Sequence, residues 1–249
     1  MDNSGYVQPV VEFAVRGRYA LFSDILTRAG GEKMTYPIPT YEALKGVIHS
    51  VYWKPTIIWI IDDVRIMNPI RIVRKGMRPI KYGGGNDLAY YTYLEDVYYQ
   101  VRAHFERNPN RPELKEDYIV KKHYAIAQRM IERGGRRDIF LGTRECQAYV
   151  EPCVFGENSG AYDHCGTIPY GLMEHGITYA DEAIRHCDKG KMTLRLWQPV
   201  MENGYIHFVR PESCTITRHI KDMEIKPFGE ENFTGLSEFA GGETDELDK

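Results

Sequence analysis

Three short stretches of the chain carry side chains whose type and spacing suit chemistry. The first is Lys121-Lys122-His123-Tyr124, at the entry of a helix read from about residue 123 to 133. Helix N-termini hold a partial positive charge, so a cation there costs roughly 0.3–1 kcal/mol. Lysine and histidine at that end make sense where an anion such as a phosphate sits on the free N–H groups. The same field favours the neutral imidazole, which keeps His123 a proton acceptor near neutral pH. The plain alternative is a solvated first turn. The second stretch is Tyr52-Trp53-Lys54-Pro55, at the end of another helix. A phenol there either packs its ring and solvates its hydroxyl or exchanges a proton, the more so where a lysine lowers its pKa from about 10. The third, Gly134-Gly135-Arg136-Arg137, sets two arginines beside flexible backbone. Guanidinium grips phosphate through a bidentate fork, although a capped helix end and a polar turn would use the same residues.

Other motifs point away from metal and nucleotide chemistry. Gly83-Gly84-Gly85-Asn86 lacks the GxxxxGK[ST] pattern of a P-loop and reads as a mobile loop. His164-Cys165 and His186-Cys187 lack the CxxC or HxxxH spacing of zinc sites, and neighbours on an extended chain point opposite ways. No acidic cluster is spaced for two metal ions, so neither metal nor cofactor is expected. The 5 cysteines contain no CxxC pair and read as buried thiols.

At 249 residues, 43% hydrophobic and 27% charged, the composition fits a globular protein with a sizeable core. Charge is unevenly spread. The net value of −3 combines −6 over residues 224–249 with +3 over 1–223. Arg71, Arg74, Lys75, Arg78 and Lys81 share residues 70–82 with no acid, and seven basic residues fall within 121–144. Local basic clusters on a mildly acidic chain suit a polyanion groove or a solvated face. The longest apolar run, residues 57–61, is far too short to span a bilayer, and the N-terminus is polar. No membrane partner and a cytoplasmic location are therefore expected.

These side chains must be positioned by a small set of elements. Residues 10–22 alternate Val11, Phe13 and Val15 with Glu12, Ala14 and Arg16 and predict a strand, with Arg16 and Arg18 on its polar side. Thr40 caps a helix whose stripe is Leu44, Val47, Ile48 and Val51, which stops before Pro55 and carries Tyr52 in its last turn. Residues 56–67 read as a central strand covered on both faces, and 97–105 as a strand with one polar face. The helix carrying His123 buries Ala127, Met130 and Ile131 and stops at Gly134. A strand over 139–155 follows. Strand, helix, strand, strand, helix, strand is the βαββαβ order of an α+β, ferredoxin-like (RRM-type) domain. The expected layout is that domain over 1–155, a smaller antiparallel β domain over 156–223, and a disordered acidic tail over 224–249. In the β domain, strands 192–197 and 205–209 flank a hairpin turn at Glu202-Asn203-Gly204.

PTYEALKGVIHSVYWKP, RPIKYGGGN, KKHY, GGRRDIFLGTREC and RLWQPVMENGYI, in that order, resemble the type I-C CRISPR endoribonuclease family, the fifth-class Cas subunit of the small Cascade complex. The resemblance runs from about Phe13 to Met223. It implies a ferredoxin-fold domain with a C-terminal β domain that cuts CRISPR repeat hairpins in precursor RNA without metal. It also implies a protein that stays on the 5′ handle and joins other Cascade subunits. The family's catalytic tyrosine, lysine and histidine fall on Tyr52, Lys122 and His123. Arg136, Arg137, Arg16, Arg18 and Lys121 are then candidates for RNA contacts. The competing expectations are a non-catalytic scaffold for the RNA handle, and binding of duplex DNA by the same basic face.

Overall fold

The computed structural model describes residues 9–28 and 31–225. All of the acidic tail beyond residue 225 lies outside this range. The chain order is β1 (Val10–Ala20), the one-turn helix α1 (Ile25–Arg28), α2 (Tyr41–Val51), β2 (Ile57–Ile66), β3 (Arg71–Met77) and β4 (Ala89–Arg107). A 3-10 turn (Pro112–Asp117) leads into α3 (Val120–Glu132), followed by β5 (Ile139–Phe140), β6 (Gln147–Pro152), β7 (Thr167–Pro169) and β8 (Met173–Thr178). The chain closes with β9 (Lys191–Trp197), β10 (Val200–Glu202), β11 (Tyr205–His207) and β12 (Ile216–Asp222).

The large sheet runs β5-β6-β1-β4-β2-β11-β10-β7, with β3 paired to the outer half of β4. Within it, β6-β1-β4-β2 are antiparallel neighbours, and α2 and α3 make the two crossovers. This is the ferredoxin-like arrangement within an α+β fold. Region 156–223 divides between two sheets. Strands β7, β10 and β11 extend the large one through β2, while β8, β9 and β12 form a separate three-stranded sheet.

The helices form where capping and apolar spacing agree. The Thr40 hydroxyl accepts the Ala43 N–H at 3.2 Å, and Leu44, Val47, Ile48 and Val51 are buried against the sheet. The opposite stripe comes from β1 and β4, whose Phe13, Val101 and Phe105 share the core with Ala127 and Ile131 of α3. Gly134, at φ +80, ends α3 in the left-handed conformation.

The structure extends or corrects five readings of the sequence. Strand β3 appears inside the basic 70–82 stretch: its Arg71, Ile72, Arg74 and Gly76 are exposed, so no buried face imprints an alternation. The polar face of 97–105 is partly covered, with Gln100 and His104 buried and Tyr98 and Arg102 half-exposed: Gln100 lies under residues 155–157, donates to the Glu157 carbonyl and accepts from the Gly156 N–H, both at 2.9 Å. Residues 139–155 form a β5–β6 hairpin rather than one strand. The turn at Asn203-Gly204 joins β10 to β11, not β9 to β11, and both residues have positive φ, as a type I′ hairpin requires. Helix α3 begins three residues early, at Val120, so Lys121, Lys122 and His123 all lie in its first turn.

Candidate active site

Tyr52 sits where α2 gives way to extended chain. It is the C-cap at φ −154, and its N–H bonds the Ile48 carbonyl at 2.8 Å. Its own carbonyl accepts the Trp59 indole N–H at 2.8 Å, which ties the end of the helix to β2. The side chain is 4% exposed and lies on the helix-covered side of the sheet.

His123 reaches the same place from α3. His123, Ala127 and Ile131 are the buried residues of that helix and recur every four positions, so the stripe that packs α3 also turns the imidazole inward. The ring is 0% exposed. Tyr52, Phe105 and Tyr118 surround it, with ring centroids 6.0, 6.0 and 6.1 Å away.

Residues 52 and 123 meet: Tyr52 Oη lies 2.7 Å from His123 Nδ1. His123 Nε2 lies 2.9 Å from the Asp117 carbonyl oxygen. A carbonyl can only accept, so Nε2 carries the proton. In the neutral ring, Nδ1 is then a free lone pair, and the phenol donates to it. The tautomer is set by backbone, and it faces the hydroxyl with a base.

Lys122 points to the outer side of the same turn. Its Nζ lies 2.5 Å from Asp117 Oδ1, and its side chain is 44% exposed. Asp117 Oδ2 accepts the Thr56 hydroxyl at 2.8 Å. Those two hydrogen bonds, Lys122 first, hold the Asp117 carboxyl below its usual pKa. The carboxylate also supplies the negative charge that the start of α3 otherwise lacks, since no side chain caps it and no acid lies in its first turn. Burial lowers the His123 pKa, with Lys122 and Lys54 adding to the drop and Asp117 opposing it. Burial raises the Tyr52 pKa, Asp117 adds to the rise, and the nearby Arg136 guanidinium opposes it. Near neutral pH this yields a protonated phenol beside a neutral imidazole, with an ammonium–carboxylate pair at the rim.

The other candidate residues divide into two groups. Arg136 and Arg137 are exposed, and both backbone N–H groups bond the Ser50 carbonyl at 3.1 Å, so the turn after α3 is anchored to the end of α2 near Tyr52. Lys121 is exposed one position from Lys122. Arg16 and Arg18 lie on the opposite face of the sheet, away from Tyr52 and His123. Arg16 there bridges Glu151 at 2.6 Å and stacks 4.1 Å from the Tyr98 ring centroid. The sequence reading missed Asp117 and Thr56, which come from polar loop and strand-start positions without periodic signal. The burial of His123 was readable: stepping back four residues from Ala127 lands on it. Among the described residues, no group of three or more His, Cys, Asp or Glu side chains gathers to hold a metal ion.

Comparison with known proteins agrees with this architecture. A protein-family model described as CRISPR-associated protein (Cas_Cas5) matches residues 10–209. A Thermus thermophilus protein named CRISPR pre-crRNA endoribonuclease Cas5d is 26% identical over 148 residues, which is 55% of this chain and 62% of that protein. The chain thus aligns with less than two thirds of that relative. A crystal structure of a CRISPR-associated protein superposes with a TM-score of 0.70 at 32% identity, covering 84% of this chain and 96% of the other. A functionally uncharacterized protein from Streptococcus mutans superposes with a TM-score of 0.68 at 37% identity, with the same coverage.

Proposed function

Because the chain belongs to the CRISPR-associated Cas5 family, we propose that it is an endoribonuclease that cuts the repeat hairpin of precursor CRISPR RNA. After cutting, it stays on the 5′ handle as a Cascade subunit. The observation that carries the reading is the 2.7 Å bond from Tyr52 to an imidazole whose free lone pair faces it. The name of the Thermus relative supports the substrate.

The chemistry follows from the arrangement. The 2′-oxygen attacks the adjacent phosphorus, and the P–O5′ bond breaks. As the 2′ O–H loses its proton to the Tyr52 oxygen, the phenol passes its own to His123 Nδ1. His123 is fully buried, so it acts on RNA through Tyr52. Lys122 places a point charge at the start of α3, where the phosphate collects negative charge in the transition state; the phosphate takes over Lys122 from Asp117. The leaving 5′-oxygen takes a proton from solvent, and the imidazolium returns one. The products are a 2′,3′-cyclic phosphate and a 5′-OH. Proton transfer and charge stabilisation both come from side chains, so the reaction needs no metal. Arg136, Arg137 and Lys121 flank the site as contacts for the RNA backbone.

A scaffold that only holds the handle is the second reading. It is favoured by the burial of His123 and by the engagement of Lys122 with Asp117. Incubating the purified protein with repeat RNA in EDTA separates the two. Cleavage that His123→Ala abolishes while binding persists supports the nuclease, and binding without cleavage by the unaltered chain supports the scaffold.

A further inference from the structure

The helix-free face of the large sheet is covered at one end and open at the other. From Glu12 and Gln100 onward it is roofed: the Phe155 N–H bonds Glu12 at 3.0 Å, and the Arg102 guanidinium lies 4.3 Å from the Phe155 ring centroid. Toward the other end the roof stops. There Arg16 of β1 stands opposite Tyr98 of β4 on one side and Tyr149 of β6 on the other. The three side chains form a row across three strands, tyrosine, arginine, tyrosine. They line a groove of about 400 Å³ together with Arg18, Asn68 and Asp96. Tyr149 is 69% exposed.

The charge of this groove is close to balanced. Arg16 is paired with Glu151 at 2.6 Å, and Arg18 shares the groove with Asp96. A balanced groove is a poor trap for a phosphate chain. What it offers is flat surface: the exposed Tyr149 ring and the Arg16 guanidinium plane, which is backed by the Tyr98 ring 4.1 Å beneath it, the groups on which unpaired bases stack. Asn68, Asp96 and Glu151 at its edge supply donors and acceptors for a base edge.

We propose that this end of the sheet is a stacking site for unpaired RNA bases that flank the repeat hairpin, built on Tyr149, Arg16 and Tyr98. The proposal rests on the RNA-binding reading above. It adds a second contact area on the face opposite Tyr52 and His123, so the RNA must pass around the sheet edge.

The test compares two RNAs on the full chain, each with a 2′-deoxy substitution at the cut: a repeat hairpin with its single-stranded flanks, and the same hairpin trimmed to its stem and loop. The unaltered protein binds the flanked RNA more tightly. Tyr149→Ala weakens binding of the flanked RNA by about 5- to 150-fold, the usual worth of one stacked base, and narrows the gap to the trimmed RNA. Tyr149→Phe restores it. A 2-aminopurine placed in the flank is quenched by the unaltered chain and not by Tyr149→Ala. Equal losses on both RNAs, or no loss on either, overturn the proposal. So does unchanged RNA binding with lost assembly into a larger complex, which would make the row a protein contact. Should the chain bind no hairpin at all, quenching of 2-aminopurine in an unpaired oligonucleotide still decides between the proposal and the failure of the nuclease reading.

Discussion

Tyr52→Phe and His123→Ala, alone and combined, probe the phenol–imidazole pair most sharply. The first change removes one oxygen and keeps the ring that packs beside His123. It breaks the 2.7 Å bond and leaves Nδ1 without its donor. A general acid–base group contributes typically 10²–10⁴-fold, or about 2.7–5.5 kcal/mol of barrier. His123 is 0% exposed, and in the proposed relay it meets RNA only through the tyrosine hydroxyl. Deleting the imidazole therefore silences the phenol, and deleting the phenol isolates the imidazole. Each single variant is expected to lose about 10²–10⁴ in single-turnover cleavage, and the double variant to lose no more than the slower single one, since residues acting as a unit are not additive. The assay is cleavage of a labelled repeat hairpin in EDTA under excess protein, with affinity measured in parallel. Losses that multiply in the double variant refute the relay. Wild-type cutting by either single variant refutes the assignment of that residue.

Other expectations concern the groups around this pair. Asp117→Asn removes a charge that raises the pKa of both His123 and Tyr52. Both limbs of the pH–rate profile are expected to move to lower pH, and unmoved limbs would show that the carboxylate does not act on the pair. Burial, helped by the adjacent Arg195, pushes the His175 pKa down to about 3. The unfolded chain binds that proton below about pH 6.5 while the folded chain does not, so His175 leaves stability unchanged above pH 6.5. Below it, stability is lost at up to about 1.4 kcal/mol per pH unit toward pH 3. Urea melts across that window, with His175→Phe flattening the slope, check this. Lys45 lies 2.7 Å from Glu182 and 3.1 Å from Glu42, and it joins α2 to the turn that follows β8. Lys45→Met strands the partly buried Glu182 carboxylate, while Glu42 keeps the Ile177 N–H at 3.1 Å and Arg195 at 3.5 Å; the change is expected to cost about 3–5 kcal/mol, read as a lower thermal midpoint. An unchanged midpoint would mean that the pairs contribute little.

The central elements of the fold were legible because their signals are local. Thr40, the Leu44–Val51 stripe and Pro55 define α2 almost to the residue, and the left-handed Gly134 ends α3. Strand β3 was hidden because it pairs with the outer half of β4 and leaves alternate residues open to solvent. The Asn203-Gly204 turn was readable, yet its strand partners were not: pairing is decided by distant chain, here β2 and β7. In the site, the types of Tyr52, Lys122 and His123 suggested proton transfer and charge stabilisation, but the meeting of Tyr52 with His123 is a tertiary fact. Asp117 was invisible for the same reason. It sits in a polar loop, and its roles come from atoms supplied by α3 and by Thr56 at the start of β2.

The most direct measurement is the chemistry of the cut ends. Repeat RNA incubated with the purified chain in EDTA is expected to yield a 5′ fragment ending in a 2′,3′-cyclic phosphate and a 3′ fragment beginning with a 5′-OH. Fragments ending in a 3′-OH and beginning with a 5′-phosphate, or cutting that stops when divalent ions are removed, would contradict attack by the 2′-oxygen at the Tyr52–His123 site.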